Sequence, residues 1–346
     1  MKKKIVLLLA AVMAVGMLSG CGKKGNAPAS GAVPAEASGQ ELAVPEGLAG
    51  TKVAWVTIQS DAWHHQTAVK AQELLAANGF TCDLFDTNGD DAKGLECLEQ
   101  IRTAGDYGLV IYACNVTQLD AFKQLMDKGT SVVMYANDFE DNHGVVSTWV
   151  CSEYDLGYLV AEKAAQELPE NANVVLLRGI EGWSGSVMRG KGFHAALEDA
   201  GRDDITILDE KFQKFQKADA MTCMEDWITA YGDKINGVVS ENDDMALGAI
   251  EALRGAGMTA DAGHVLVYGI DGLYQGCKGI KEGSIQASAY QDSNDYAEAA
   301  LERIQKLVSG EMKPGDCEDL TFDAAYIDSS NVDEFLTYYE KAGMAQ

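Results

Sequence analysis

From Thr51 onward, short apolar runs alternate with longer amphipathic stretches, and this alternation restricts the fold more than any other feature of the chain. Val53–Ile58 reads as a strand, 62–78 as a helix closed by Gly79, and 81–85 as a strand. Helix, strand, helix and strand follow over 95–103, 109–112, 118–127 and 132–135, with Gly129 ending the second helix and another strand expected over 145–150. Repeated βαβ units of this kind form a parallel sheet with right-handed crossovers. A second series begins with a helix at 155–167, stopped by Pro169. It continues through strands at 174–177, 205–208, 237–239, 265–269 and 285–289, separated by helices at 187–200, 218–231, 240–253 and 273–282. A long helix at 295–309, a strand at 321–327 and a helix at 332–341 complete it. The expected fold class is α/β, with two doubly wound parallel-sheet lobes and a cleft between them, where small ligands commonly bind.

The first 50 residues do not fit that pattern. Lys2–Lys4 form a positive start, Ile5–Leu18 is apolar but short for a membrane span, and Ser19-Gly20 precede Cys21. Leu18-Ser19-Gly20-Cys21 resembles a bacterial lipobox. That resemblance implies a lipoprotein signal peptide over 1–20, cleavage before Cys21, and lipidation of its sulfur. The Gly-, Ala-, Ser- and Pro-rich remainder of 21–50 reads as a flexible tether. The expected location is extracytoplasmic, lipid-anchored to a bacterial cell membrane through Cys21.

Without residues 1–20 the chain carries 24 basic against 53 acidic residues, a net of −29. That charge argues against nucleic acid as a partner. Seven cysteines remain after Cys21, none in a CxxC pair, and most lie in apolar patterns, such as Cys114 after Leu109–Tyr112. They read as small buried hydrophobes.

Enzyme signatures are missing. The chain has no GxGxxG and no GxxxxGK[ST]. Gly182-Trp183-Ser184-Gly185-Ser186 approaches a GxSxG elbow but has Ser186 at the last glycine. Asp86-Thr87-Asn88-Gly89-Asp90 begins like a calcium loop but has Asp91 at the sixth position and Cys97 at the twelfth. His64 and His65 are adjacent, so on a helix they point about 100° apart and chelate one metal poorly. No catalysis, metal or cofactor is expected. The informative stretch is Ser240-Glu241-Asn242-Asp243-Asp244-Met245, which opens a helix directly after the strand Gly237–Val239. A side chain such as Asn242 there either caps the helix or reaches a ligand from a rigid platform.

Several motifs together carry a resemblance to type I periplasmic binding proteins for simple sugars, the ribose- and galactose-binding group. Ser240–Ala249 is similar to that family's A-x-N-D-x-M-A-x-G-A run, and Arg189–Phe193 to R-x-x-G-F. Val267–Gly272 is similar to V-x-G-F-D-G, and Ala289-Tyr290-Gln291-Asp292 to its A-x-x-Q-D-like strand end. The resemblance spans 51–340 and implies a three-strand hinge crossed at Cys151, Gln291 and near Leu320. It places 51–151 plus 292–320 in an N-terminal lobe and 152–291 plus 321–346 in a C-terminal lobe. It also implies ligand-facing roles for Thr57, Asp61, Trp63, His64, Tyr112, Asn137 and Asp138 in the first lobe. In the second it implies Arg189, Phe215, Asn242, Asp271 and Gln291. Asp138 is a departure, standing where the family often has a cation.

Those residue types suit a pyranose. Trp63 and Phe215 are positioned to sandwich its C–H faces, and Asp, Asn, Gln and Arg match vicinal hydroxyls. Asp61, Asp138 and Asp271 against Arg189 leave about −2 with His64 uncharged, which disfavours sugar acids and sugar phosphates. The expected function is a monomeric solute-binding lipoprotein of an ABC importer, binding a neutral sugar or polyol and docking on permease subunits. The alternatives are a nucleoside-binding lipoprotein, a sugar-sensing module feeding a membrane kinase or chemoreceptor, or an exported α/β hydrolase.

Overall fold

The computed structural model describes residues 51–113, 118–136, 145–148, 152–260, 263–313, 316 and 325–345, with backbone alone at 146–148. The first lobe runs β1 (Lys52–Thr57), α1 (Ala62–Ala77), β2 (Thr81–Asp86), α2 (Asp91–Ala104), β3 (Tyr107–Tyr112), α3 (Leu119–Met126), β4 (Ser131–Tyr135) and β5 (Val146–Thr148). Its strands are all parallel, in the order β2-β1-β3-β4-β5. The chain steps one way from β1 to β2 and the other way afterwards. With right-handed crossovers, α1 therefore covers one face and α2 and α3 the other. The strand period of two follows suit. Val53 and Trp55 are buried in the core on the α1 side, Ala54 and Val56 in a second core beneath α2 and α3. The step direction reverses between β1 and β3, which opens a crevice at their C-terminal ends.

The second lobe contains α4 (Glu153–Glu167), β6 (Asn173–Arg178), α5 (Ser184–Asp199), β7 (Thr206–Phe212), α6 (Lys217–Tyr231), β8 (Gly237–Ser240), α7 (Asp243–Ala256), β9 (Leu266–Asp271), α8 (Tyr274–Glu282) and β10 (Ala287–Tyr290). After β10 the chain forms α9 (Ser293–Ser309), which packs on α1 of the first lobe, and then β11 (Ala325–Asp328) and α10 (Val332–Lys341). The sheet order is β11-β10-β9-β8-β6-β7, and its reversal lies between β6 and β8. The α4–α5 pair is close-packed at Gly157, where a Cβ would fall on the carbonyl oxygen of Arg189.

Three details differ from the sequence expectation. Helix α2 begins at Asp91 rather than Leu95, because the Asp90 side chain accepts from the Lys93 amide and caps an earlier turn. Strand β7 extends to Phe212, four residues beyond the apolar run that marked it. The last strand, β11, is antiparallel to β10, so the second sheet is not wholly parallel. It follows α9, which packs on the first lobe, and joins the sheet at the edge beside β10. Cys82, Cys97, Cys223 and Cys277 are buried free thiols, and burial pushes Cys82 up to about 12 and Cys223 to about 11. Cys21, Cys114, Cys151 and Leu320 lie outside the described residues.

Candidate functional site

Both reversal points bring strand ends to the junction of the lobes. On the first lobe, β1 ends at Thr57 and Asp61 caps α1, its carboxylate accepting from the His64 amide at 2.8 Å. The cap sets Trp63 and His64 on the first turn, both buried. Trp63 Nε1 donates to the carbonyl of Gln291 at 3.2 Å, and its ring meets Tyr296 of α9 edge-on at 4.5 Å. His64 Nδ1 lies 2.8 Å from Asp61 Oδ1.

On the second lobe, Asn242 caps α7 by accepting from the Met245 amide at 2.9 Å. The same side chain donates through Nδ2 to Asp61 Oδ2 at 2.9 Å and to the Phe215 carbonyl at 3.2 Å. It is thus both a cap and an interlobe contact. Two residues on, Asp244 Oδ2 accepts from the Ala62 amide of the other lobe at 2.8 Å. Asp243 turns inward, accepting from Ser288 Oγ at 2.7 Å and the Leu273 amide at 2.8 Å. Glu241 faces away from the cavity and pairs with Arg178.

Arg189 of α5 is buried against Glu153, with Nε donating to Oε2 at 2.5 Å, and it also donates to the carbonyl of Glu241. Its Nη1 is 4.0 Å from Asp271 Oδ1. Asp271 ends β9 with φ of 118°, a conformation that costs an L-residue energy and fixes its side chain at the cleft. Its Oδ1 accepts from Gln291 Nε2 at 2.6 Å. Phe215 has φ of 59°, and its ring fills the space over Gly179, where a Cβ would clash with it.

Electrostatics divides the carboxylates. Burial pushes Asp271 well above the usual range against the lowering effect of the Arg189 charge, with Asp61 and Asp243 adding to the rise. Burial raises Asp244 to about 6, helped by Asp61. Burial also opposes ionisation of Asp61, but its interactions with His64 and the hydrogen bond from Asn242 hold it below the usual range. Arg189 stays cationic, because Glu153, by charge and by hydrogen bond, opposes its desolvation.

Eight of the residues singled out from sequence line one cavity: Asp61, Trp63, His64, Arg189, Phe215, Asn242, Asp271 and Gln291. Asn137 and Asp138 lie outside the described residues. Thr57 does not reach the cavity. Its hydroxyl is 2.8 Å from that of Tyr135, whose ring lies 6.0 Å from His64. Tyr112 does not line it either. Its ring packs on Phe122 at 5.2 Å, in the core on the α2–α3 face, and borders a separate small space. The expectation that every strand-end residue faces one site neglected the period of two, which sends alternate side chains to opposite faces.

Glu153 and Trp183 also line the cavity and were missed. Trp183 precedes α5 in a stretch read only as a failed elbow, although a loop after a strand in this fold faces the cleft. Its ring stands 5.8 Å from Phe215 and 5.8 Å from His64. The aromatic walls are therefore Trp63 with His64 on one lobe and Trp183 with Phe215 on the other. Glu153 belongs to no motif. The cavity measures about 20 Å³, room for about one water. Admitting a monosaccharide requires the lobes to part across the Asp61–Asn242 and Ala62–Asp244 contacts. Among the described residues, no cluster of His, Cys, Asp and Glu is arranged to hold a metal ion.

The model of the periplasmic binding protein domain family matches residues 53–312. The chain is 35% identical over 163 residues to the xylitol-binding protein of Mycolicibacterium smegmatis, a span of 47% of this chain and 43% of that protein. It is 29% identical over 244 residues to the ribose import binding protein of Salmonella typhimurium, covering 70% of this chain and 79% of that one. Its fold is similar to that of the Caulobacter myo-inositol binding protein bound to myo-inositol, with a TM-score of 0.75 at 21% identity, covering 86% of this chain and 99% of that chain.

Proposed function

The chain belongs to the periplasmic binding protein domain family, and on that premise we propose that it is a lipid-anchored, extracytoplasmic receptor delivering a neutral sugar or polyol to an ABC importer. The observation that carries this reading is the interlobe cavity. Of the eight expected residues that line it, five reach it from the second lobe and three from the first, so a bound molecule touches both.

The chemistry of the walls favours an uncharged polyhydroxylated ligand. The Trp183–Phe215 and Trp63–His64 walls offer apolar faces for C–H groups. The single cation, Arg189, is already matched by Glu153, so an added carboxylate or phosphate finds no uncompensated positive charge among the described lining residues. Burial suppresses the charge on Asp271, which lowers the cost of desolvating a neutral partner beside it. Ligand that bridges the lobes favours the closed arrangement only through contacts the open one lacks. The closed surface is then what permease subunits recognise, with Cys21 supplying the membrane tether.

Calorimetric titration of the full chain with ribose, xylitol, myo-inositol, adenosine and galacturonate tests the ligand class. Binding of a neutral sugar or polyol, abolished in Asp271→Ala, supports the proposal. Binding of adenosine alone favours a nucleoside receptor, and binding of galacturonate alone removes the charge argument. Membrane fractionation of Cys21→Ala tests the anchor: release into the soluble fraction is expected, and unchanged membrane retention contradicts lipidation.

A further inference from the structure

One polar atom in the cavity wall stands out. The His64 ring is buried, with 6% exposure, and its Nε2 has no hydrogen-bond partner among the described residues. The other ring nitrogen is fully committed. Asp61 Oδ1, 2.8 Å from Nδ1, also accepts from the His64 backbone amide at 2.8 Å. An ionised carboxylate only accepts, so the proton between the two side chains sits on Nδ1. Asp61 in turn is pinned by Asn242 from the other lobe.

Several of the surrounding donors are already engaged. Arg189 serves Glu153 and the Glu241 carbonyl, and Asn242 Nδ2 serves Asp61 and the Phe215 carbonyl. Gln291 Nε2 serves Asp271, and Trp63 Nε1 serves the Gln291 carbonyl. A bare imidazole nitrogen held between Trp63 and Trp183, at ring distances of 5.0 and 5.8 Å, is costly to leave unpaired, and a donor entering the cavity removes that cost.

We propose that His64 sets the polarity of ligand recognition: it holds its proton on Nδ1 against Asp61 and presents Nε2 as an acceptor to a ligand hydroxyl. This rests on the sugar or polyol reading above and sharpens it. The ligand must place a hydrogen-bond donor at this point, so an ether, a carbonyl or a deoxy carbon there is rejected. The ring works as a hydrogen-bonding wall where a plain aromatic would only stack.

Two measurements test this. The first needs no ligand. In the full chain labelled with ¹⁵N-histidine, long-range ¹H–¹⁵N correlation at neutral pH, with His64 assigned by its loss in His64→Phe, is expected to show a protonated Nδ1 and an unprotonated Nε2. A protonated Nε2 overturns the proposal. The second compares binding of ribose, xylitol and myo-inositol to wild type, His64→Phe and His64→Gln. For whichever binds, His64→Phe is expected to weaken affinity by about tenfold, the loss of one buried hydrogen bond, and His64→Gln, which keeps an acceptor, to recover part of it. A ligand that binds His64→Phe as tightly as wild type overturns the proposal and leaves the sugar reading intact. Failure of all three probes to bind folded wild type overturns the sugar reading itself and the hydroxyl contact with it. If His64→Phe does not fold, His64→Gln carries both the assignment and the binding comparison, and the same spectrum decides.

Discussion

Asn242, at the start of α7 in one lobe, donates through Nδ2 to Asp61 Oδ2, at the start of α1 in the other, across 2.9 Å. Each residue caps its own helix while touching its counterpart. Rigid elements of both lobes thus meet at this hydrogen bond, beside the Ala62–Asp244 contact, and it is charge-assisted because Asp61 is held ionised.

Asn242→Asp separates the two jobs. It keeps an oxygen to cap α7 but sets a second carboxylate against Asp61. The expected outcome is a more open molecule, seen as a larger radius of gyration in small-angle scattering, with helix content unchanged. Asn242→Ala removes the cap as well and is expected to lose about 1 kcal/mol of stability besides. Identical scattering from wild type and Asn242→Asp contradicts the contact.

Acidity acts on the same junction. Burial raises Asp244 to about 6 and Asp243 to about 7. Their folded values exceed the unfolded value of about 3.9, so the folded state holds the extra protons. Their contribution to stability is complete below about 4 and is lost as pH rises through 6 and 7. Melting temperature measured from pH 5 to 8 is expected to fall more steeply for wild type than for Asp244→Asn, which keeps an oxygen for the Ala62 amide but cannot ionise. Parallel curves contradict this.

The buried Arg189–Glu153 pair makes a separate prediction. Glu153→Ala leaves a guanidinium in the interior without its nearest counter-ion, at a cost of about 3–5 kcal/mol. Chemical denaturation is expected to show that loss, with a smaller one for Glu153→Gln, which still accepts from Nε. A Glu153→Ala protein as stable as wild type contradicts the pairing.

The contact of α4 with α5 is equally exposed to test. Gly157→Ala places a methyl on the Arg189 carbonyl, and overpacking of this kind costs about 1–3 kcal/mol. The displaced α5 carries Arg189 with it, so ligand affinity is expected to fall together with the melting temperature. A fall in stability with affinity unchanged shows that Arg189 is not positioned by this contact.

The two lobes were legible because parallel strands leave apolar runs that turn residues separate, and Asn242 was legible because it sits where a strand feeds a helix. Glu153 was not. It is an acidic residue in the first turn of a helix, where helix polarity alone accounts for it, and only folding sets α5 beside it. Trp183 lies in Gly182–Ser186, whose spacing resembles a nucleophile elbow and carries no signal for a ligand wall. Tyr112 and Thr57 were misplaced, since a strand end in sequence does not reveal which face of the sheet its last side chain takes. The antiparallel direction of β11 is set by its pairing with β10, a distant strand that no local pattern encodes.

The most direct measurement is a thermal-shift comparison of the full chain with neutral sugars and polyols against their carboxylated and phosphorylated counterparts. At about 100 times its Kd a ligand adds roughly 2.7 kcal/mol, enough to raise the melting temperature by several degrees. A shift given by a neutral member, absent for the acidic ones and lost in Asp271→Ala, is the expected result. A shift given only by acidic members, or one that survives Asp271→Ala, contradicts a neutral-sugar site between the lobes.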